Sequence, residues 1–522
     1  MIPEKKVDRQ MYRDGKPCLK SLCALYYSIG ETMEPNNNQR HHEYLQSIAY
    51  RAMLERGLLP EFDAAAKNEL SNISRAAQEH EPDIRDLRQL LWCSIDNQDS
   101  EDLDQLSYAE RCQDDCVKVY VAVADVDALV REHSALDKHA RHNTCTVYTA
   151  ARIFPMLPEK LSTNYSSLGY RDDRLAIVTE LKVDKQGAVN AYTIYRAWVQ
   201  NKAKLSYNRL ADWLDGDAEP PEAVTRVAGL AENLMLQFKV AQEMKNLRYE
   251  RGALEFETIH AKPVFENGDI KDLIADRSNG AKDIVADFMI ATNGAVARFL
   301  DACGYPSIRR VVKTPRRWDR IVELAKEHGY SLPLAPDPKE LHKFLMKEKA
   351  ADKLRFPDIS QSVIKLLGSG EYIVEKAGED SQGHFGLAVK DYTHSTAPNR
   401  RYPDLLTQRL VKAALKKQDI PYSDEELVEL AKHCSQMEDA VKKVERQVSK
   451  AAAALLLQGR MGEEFKAIVT GASPKGTWVR LFRLPVEGRV VKGFEGADVG
   501  HKIRVKLVGA DVERGFIDFV RV

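Results

Sequence analysis

A dense acidic loop is the first place in this sequence where the side chains could do chemistry. Residues 96–104 read DNQDSEDLD and lie between two apolar stretches. The acids of the loop are Asp96, Asp99, Glu101, Asp102 and Asp104. Carboxylates held this close repel one another, and a hard divalent cation with oxygen ligands relieves the repulsion. Mg²⁺ suits the loop because it accepts one or two protein carboxylates and leaves positions for water and phosphate oxygens. A solvated acidic turn is the alternative, whereas an EF-hand calcium loop is excluded because its sixth position is Glu101 instead of glycine.

A pair of arginines forms the second reactive group. Arg400 and Arg401 follow an Ala-Pro turn and precede a predicted helix in the segment THSTAPNRRYPDLLTQR, residues 393–409. Planar guanidinium groups at such a position can clamp phosphate, although a surface ion pair is the alternative interpretation. Combined with acids that hold a metal, the pair suits phosphoryl chemistry, in which catalysis consists mainly of positioning and charge neutralisation.

The C-terminal region mixes aromatic and basic side chains. Its aromatic residues alternate with cations, in the set Trp478, Phe482, Phe494, Lys475, Arg480, Arg483 and Lys492. Stacking faces beside positive charges are what single-stranded nucleic acid needs. The alternative is that some of these aromatic side chains only fill a small barrel. The pattern predicts RNA-binding roles for Trp478, Arg480 and Phe494.

These groups must be positioned by regular elements. Apolar residues at helical spacing, followed by Gly57 and Pro60, predict a helical N-terminal module over roughly residues 1–80. Strands are predicted on either side of the acidic loop, in LLWCSI and in CVKVYVAVADV (116–126). A half-buried helix is predicted over Asp283–Leu300.

The C-terminal part of the chain carries clear boundary signals. Ser423 opens a capping box, and apolar residues then recur every three or four positions, which predicts one long helix. After Gly462 the pattern changes to short strands with glycine-containing turns, which is typical of a small all-β barrel. We therefore place a domain boundary near residue 461.

Composition excludes several classes of protein. The 522 residues are 44% hydrophobic and 30% charged, which excludes a disordered chain, a collagen-like repeat and a coiled-coil rod. Lys and Arg total 77 against 78 acidic residues, so any polyanion must be held by local patches. The longest apolar run, Ala451–Leu457, is too short for a bilayer, and the N-terminus has no apolar leader segment. We expect a cytoplasmic protein without a membrane partner, whose eight cysteines are reduced.

Six ordered motifs make the chain resemble a known family. They are SIDNQDSEDLD (94–104), VAVADVDALV (121–130), YTAARIFPMLPEKLS (148–162), RGALEFE (251–257), GHFGLAVKDYTH (383–394) and APNRRYPDLLTQRLV (397–411). Over roughly residues 90–522 the chain resembles the ribonuclease II / ribonuclease R family of RNB-type 3′-to-5′ exoribonucleases. The predicted terminal barrel similarly resembles the S1-type OB fold of these enzymes.

The resemblance assigns roles to individual residues. The metal-linked positions of the family fall on Asp96, Asp102, Asp104 and Gln105, so that an amide replaces the fourth carboxylate. Asp104 is expected to be the most critical of them for catalysis, with Asp102 and with Arg400 as the catalytic arginine. The RNA-binding positions are expected at Tyr148 and Phe256, which would grip the terminal base, at Glu445, and at Arg401 beside the catalytic arginine.

The resemblance also implies an activity and an architecture. The expected activity is processive, Mg²⁺-dependent hydrolysis of single-stranded RNA from its 3′ end to nucleoside 5′-monophosphates by a monomer. A catalytically weak or inactive RNA-binding regulator is the alternative that Gln105 keeps open. The expected fold is multidomain α+β, with an RNB-type catalytic α+β domain over 81–461 and an S1-type OB β-barrel over 462–522. The helical module over 1–80 takes the place of the usual cold-shock domains, as a helix-turn-helix or winged-helix unit for nucleic acid or as a docking unit for a protein partner.

Overall fold

The computed structural model describes residues 40–258, 260–266, 268–276, 279–473 and 476–522. The first 39 residues of the predicted N-terminal module therefore lie outside the described residues. The α-helices in the described part are α1 (Arg40–Glu55), α2 (Ala64–Asn72), α3 (Ala135–Asn143), α4 (Tyr207–Leu214), α5 (Glu222–Thr225), α6 (Leu230–Glu250), α7 (Gly280–Ala302), α8 (Trp318–Glu327), α9 (Pro338–Ala351), α10 (Phe356–Leu367), α11 (Tyr402–Lys416) and α12 (Asp424–Gln458).

The strands divide among a large central sheet, a barrel and three short pairs. They are β1 (Arg85–Asp86), β2 (Cys93–Asp96), β3 (Gln105–Arg111), β4 (Val117–Ala124), β5 (Val147–Tyr148), β6 (Ile153–Phe154), β7 (Asp173–Val183), β8 (Val189–Gln200), β9 (Ala203–Ser206), β10 (His260–Glu266), β11 (Asp269–Asp276), β12 (Ser307–Val311), β13 (Glu371–Glu375), β14 (Glu464–Ser473), β15 (Gly476–Leu481), β16 (Glu487–Lys492), β17 (Lys502–Asp511) and β18 (Phe516–Arg521).

The central sheet has seven strands in the order β1-β8-β7-β4-β3-β2-β9. Helices cover both faces, which is why β4 is apolar at nearly every position. On one face Val119 and Val121 belong to the same cluster as residues of α6 and α7, including Phe288. On the other face Ala122 belongs to the same cluster as residues of α11 and α12, including Leu405. The strands predicted around the acidic loop and the helix predicted near Asp283–Leu300 are confirmed.

A disulfide corrects the expectation that the cysteines are reduced. Cys112 and Cys116 are bonded across the turn that joins β3 to β4. The hairpin brings them together, because Arg111 pairs with Val117 and the backbone N–H of Cys112 donates to the carbonyl of Cys116 at 2.9 Å. Sequence spacing did not reveal the bond because the register of the hairpin was needed to place the two side chains face to face.

The long helix α12 begins where the capping box predicts. The Ser423 hydroxyl accepts a hydrogen bond from the backbone N–H of Glu426 at 3.1 Å, and the helix continues for 35 residues. Leu427 and Leu430, near its start, pack in the core of the central sheet. Ala451 and Leu455, near its end, pack in the core of the terminal barrel. The helix therefore connects the two main bodies.

The terminal domain is a closed five-stranded barrel in the order β14-β15-β16-β18-β17, as predicted. Alternating residues of its strands point inward, including Val479, Val490, Val505 and Phe519. The first strand of the barrel, β14, begins at Glu464. The domain boundary near residue 461 stays a prediction.

The described part of the N-terminal segment is helical but does not stand apart. Residues 40–80 form α1 and α2 and contain no strand, so the wing of a winged helix is not found within them. Leu45 and Ile48 of α1 join the barrel cluster. Ala49 and Met53 pack with residues of α12. Helix α1 is thus wedged between the barrel and the long helix. Among the described helices, none combines the length and apolarity that crossing a bilayer requires.

Candidate active site

Four chain segments meet around the acidic loop. Asp96 is the last residue of β2, and Asp104 immediately precedes β3, so the two strands fix both ends of the loop. The Ser167 hydroxyl holds the backbone between them, donating to the carbonyl of Glu101 at 2.7 Å and accepting from the N–H of Leu103 at 3.0 Å. Asp102 is therefore presented from a tied loop.

Asp104 is the most buried of these acids, with 1% of its side chain exposed. One carboxylate oxygen accepts from the backbone N–H of Asn399 at 3.0 Å. The other accepts from Nε of Arg400 at 2.9 Å. The two Nη groups of Arg400 form no hydrogen bond with any residue that the structure describes. The sequence-predicted pair of Asp104 and Arg400 is thus brought into direct contact across the fold.

Tyr148 lies beside this pair because its strand runs along the segment before α11. The backbone N–H of Thr146 donates to the carbonyl of Arg400 at 3.0 Å, and Cys145 forms an isolated antiparallel β-bridge with Arg401. The Tyr148 hydroxyl donates to Asp102 at 2.7 Å. Its backbone N–H donates to the Glu445 carboxylate of α12 at 2.9 Å. Tyr148 keeps 40% of its surface exposed, so its ring remains accessible to a ligand.

Burial dominates the electrostatics of the site. It raises the pKa of Asp104 to about 7, although Arg400 and the N–H of Asn399 act in the opposite direction. Burial also raises the pKa of Asp96, and the charge of Asp102 adds to this effect. The pKa of Tyr148 is raised by burial and by Asp102, which keeps the phenol protonated as a donor. A divalent cation would relieve the cost of these buried negative charges.

The predicted metal ligands fit Mg²⁺ in chemical type but are not assembled into one cluster. Within the residues that the structure describes, no three Asp, Glu, His or Cys side chains are grouped closely enough to hold an ion. Gln105 is the half-buried first residue of β3, opposite Val123. Mg²⁺ needs only one or two protein carboxylates, which Asp96 and Asp102 can provide. The four-residue metal set stays a prediction.

Two predicted RNA-binding residues of the catalytic body, Phe256 and Arg401, have contacts of their own within the protein. Phe256 is half-buried beside the cluster formed by α8, α9 and α10, which includes Phe344 and Phe356. Arg401 donates through Nη2 to the buried carboxylate of Asp404 at 2.7 Å. Its position next to Arg400 is as expected, but one of its donors is already engaged in holding the start of α11.

The predicted residues of the barrel separate into two groups. Phe494 is 41% exposed in the loop after β16, and Trp478 is half-buried on β15 beside Gly471. Arg480, which was predicted to contact RNA, has partners within the protein: Nε and Nη2 donate to the two carboxylate oxygens of Asp358 at 3.1 and 2.9 Å. Nη2 also donates to the carbonyl of Leu354 at 3.1 Å. Arg480 therefore joins the barrel to α10.

Three residues that support the site escaped the sequence analysis. Ser167 ties the acidic loop, and the backbone N–H of Asn399 binds Asp104. Asp404 accepts from the N–H groups of Thr396 and Ala397 at 2.8 and 2.9 Å, which shapes the segment that carries Arg400. The one available signal was Asp404 itself, an acid in the first turn of a predicted helix.

Comparison with known proteins gives two family matches that together span most of the chain. Residues 84–417 match the RNB domain. Residues 463–522 match the RNase II-type exonuclease C-terminal S1 domain. The stretch between the two matches, residues 418–462, contains the whole of α12 and ends just before the first strand of the barrel.

Individual relatives are similar along most of the chain. Ribonuclease R of Aquifex aeolicus is 30% identical over 463 residues, which cover 83% of this chain and 64% of that protein. The chain spans less than two thirds of the length of the first curated relatives it matches. RNase R of Mycoplasma genitalium, solved in complex with ribose-methylated single-stranded RNA, superposes with a TM-score of 0.81 at 20% identity, covering 94% of this chain and 79% of that one. Yeast Ssd1, described as a pseudonuclease, gives a TM-score of 0.66 at 16% identity and covers 85% of this chain and 55% of its own.

Proposed function

The chain belongs to the RNB-domain family of RNase II-type exonucleases, and from this premise we propose that it hydrolyses single-stranded RNA processively from the 3′ end. The products are nucleoside 5′-monophosphates, and the cofactor is Mg²⁺. The observation that carries the proposal is the contact between Asp104 and Arg400 beside an accessible Tyr148. This arrangement offers negative charge for a cation, positive charge for a phosphate and a ring for a base.

Arg400 is suited to the phosphoryl group in this proposal. Because Nε is held by Asp104, the guanidinium plane is fixed in place before RNA arrives. Its two Nη groups can then donate to phosphate oxygens and stabilise the charge that develops during hydrolysis. A lysine would not offer the same fork.

Tyr148 and Glu445 are suited to the terminal nucleotide. The exposed ring of Tyr148 provides a stacking surface worth about 1–3 kcal/mol per base. Glu445 and Asp102 hold its backbone and its hydroxyl, so the ring is fixed at the acidic loop. A base stacked there places the last phosphodiester bond near Arg400 and the carboxylates.

The acidic residues would hold the cofactor. Asp96, Asp102 and Asp104 are the candidate ligands, with Gln105 as a neutral oxygen donor. When bound, Mg²⁺ supplies positive charge that activates water and offsets the charge of the phosphoryl group. The RNA-bound RNase R of Mycoplasma genitalium supports single-stranded RNA as the substrate class. Exposed Phe494 and half-buried Trp478 are the barrel residues proposed to contact the strand.

An RNA-binding regulator without activity is the second candidate. Two observations favour it: Gln105 replaces an expected carboxylate, and the fold also resembles that of a pseudonuclease. Asp104, Asp102 and Arg400 are nevertheless all present and in contact with site residues. We therefore place the enzyme first.

The direct test is incubation of the pure protein with 5′-labelled single-stranded RNA, with Mg²⁺ or with a chelator. The expected result is shortening from the 3′ end and release of 5′-monophosphates only with Mg²⁺, while circular RNA survives. Asp104→Asn should abolish hydrolysis and leave RNA binding nearly intact, since it removes charge but no stacking contact. Glu101→Gln is the matched control, because it removes one exposed charge from the same loop. Intact RNA under all conditions would favour the regulator, and equal loss of binding and activity in Asp104→Asn would contradict the role of Asp104.

A further inference from the structure

A cavity of about 790 Å³ opens at the edge of the central sheet, outside the candidate active site. One wall is the segment that runs from α2 to β1, and another is the loop that precedes β7. The half-buried ring of Trp198, from β8, is also part of the lining. The volume lies within the range of about 300–1,000 Å³ that is typical of small-molecule sites.

The wall formed by residues 74–81 is anchored to the body of the protein. Glu79 pairs with buried Arg196 at 2.7 Å, and Glu81 pairs with Lys416 at 2.7 Å. The hydroxyl of Tyr165 donates to the carbonyl of Ser74 at 2.8 Å. The cavity is therefore a built feature of the fold.

The acidic side chains around the cavity are paired with basic ones, whereas two of its arginines have no acidic partner in the part of the chain that the structure describes. Its acids are already paired: Asp86 and Asp173 with Arg88, and Asp172 with Arg174. Glu81 is occupied by Lys416. The exposed lining residues Arg75 and Arg171 have no acidic partner within 4.0 Å among the described residues. The guanidinium of Arg171 lies over the Tyr170 ring, 5.0 Å from its centroid, which leaves its charge without an acidic partner among those residues. Two arginines of this kind at a cavity favour an anion with several oxygens, such as a phosphate monoester.

Aromatic rings supply the second recognition element. The rings of His80 and Trp198 are stacked, with their centroids 5.8 Å apart, and Tyr165 also lines the cavity. Ring surfaces beside cations bind a flat nucleobase together with its phosphate. We infer that this cavity binds a nucleoside 5′-monophosphate, with its phosphate on Arg75 and Arg171 and its base against the Trp198 region. The inference rests on the proposed function for the source of the ligand, because 3′-to-5′ hydrolysis would release this molecule beside the protein.

The test is calorimetric titration of the full chain with adenosine 5′-monophosphate, in a chelator and without RNA. The variant combines Arg75→Ala with Arg171→Ala, two exposed side chains whose loss leaves the core intact. Its matched control is Arg209→Ala, an exposed arginine of α4 that does not line the cavity. We expect affinity to fall by about tenfold or more in the double variant, because charge-assisted hydrogen bonds to phosphate are lost, and to stay unchanged in the control.

Two further measurements locate the ligand. Adenosine without phosphate should bind far more weakly than the monophosphate, and inorganic phosphate should compete. Titration of Tyr148→Ala separates the cavity from the candidate active site: any binding lost in this variant belongs to the active site, whereas the binding lost in the arginine variant should remain. Unchanged affinity in the arginine variant, or loss of binding in Tyr148→Ala alone, would overturn the inference. Because no RNA is used, binding that is lost only in the arginine variant supports the cavity even if the protein proves inactive on RNA. If the protein degrades RNA but does not bind the monophosphate at the cavity, this inference is wrong and the proposed function stands.

Discussion

Tyr148 combines two contacts that substitution can separate. Its ring is the proposed stacking surface, and its hydroxyl donates to Asp102. Tyr148→Phe keeps the ring and removes the hydrogen bond, whereas Tyr148→Ala removes both. We expect Tyr148→Ala to lengthen the smallest undegraded RNA product, because stacking matters most when few other contacts remain. Tyr148→Phe should leave that length unchanged.

A sequencing gel of the end products measures both effects. If the final length were the same for the parent, Tyr148→Phe and Tyr148→Ala, the ring would be a packing residue. If Tyr148→Phe matched Tyr148→Ala, the hydroxyl would be the important group instead.

Gln105 gives a prediction about the cofactor. An amide offers a neutral oxygen at the position where we expected a carboxylate, so the proposed site should hold Mg²⁺ less tightly than a four-carboxylate site. Gln105→Asp should therefore lower the Mg²⁺ concentration that gives half-maximal activity. Titration of Mg²⁺ against initial rate measures this, with Asp99→Asn as the comparison. If the Mg²⁺ concentration for half-maximal activity were unchanged in Gln105→Asp and raised in Asp99→Asn, exposed Asp99 would already supply the fourth negative charge.

The types of the site residues were readable from the sequence, but their contacts were not. Asp104 and Arg400 were both expected, and the structure joins them. Their contact depends on Asn399 and Asp404, which shape one short segment for which Asp404, an acid in the first turn of a predicted helix, was the one sequence signal. Arg480 shows the limit most clearly: its partner Asp358 lies 122 positions away, so the sequence could not reveal their ion pair, and the RNA contact of Arg480 stays a prediction.

At the scale of elements, the contact between the barrel and α10 can be measured. Arg480 and Asp358 form a two-pronged ion pair with 15% and 7% of their side chains exposed. A double-mutant cycle with Arg480→Ala and Asp358→Ala should give a coupling energy of about 1 kcal/mol or more, above that of ordinary surface pairs. Urea unfolding of the two single variants and the double variant provides the free energies.

The control for this cycle pairs Asp358→Ala with Arg483→Ala, an exposed arginine of the same barrel. That cycle should show almost no coupling. Equal coupling in the two cycles would mean that the charges act through the general field of the barrel.

Elements with local signals were predicted well. The capping box at Ser423 predicted α12, and the short strands separated by glycine-containing turns predicted the barrel. The Cys112–Cys116 bond and the wedged position of α1 were missed, because both depend on which surfaces meet after folding. Local propensity sets an element's type, whereas packing across the chain sets its neighbours.

For the whole molecule, the barrel is expected to be part of the stability of the chain. Its core includes Ala451 and Leu455 of α12 and Leu45 of α1. Removing residues 462–522 would expose these apolar side chains to water, so we expect a lower melting temperature and more aggregation. Trp478→Ala in the full chain is the control, because it removes a proposed RNA contact and leaves the shared core in place.

Thermal unfolding followed by circular dichroism, together with light scattering, tests this expectation. A truncated protein that melts at the parent temperature without aggregating would show that the barrel is an independent appendage. In that case the salt dependence of RNA binding by the truncated protein would report directly on the barrel.

Helix α12 carries Glu445 and also Ala451 and Leu455, which pack in the core of the barrel. The number of residues between them therefore sets the rotation of the barrel about the helix axis. At about 1.5 Å and 100° per residue, one residue inserted between Glu445 and Ala451 would turn the barrel by about 100° around the helix axis relative to Tyr148. An insertion of seven residues would restore the facing to within about 20°, but would shift the barrel by about 10 Å along the axis. If RNA passes from the barrel to the Tyr148 ring as proposed, the direction of its approach therefore depends on the number of residues along α12, and changes of that number by whole helical turns best preserve it.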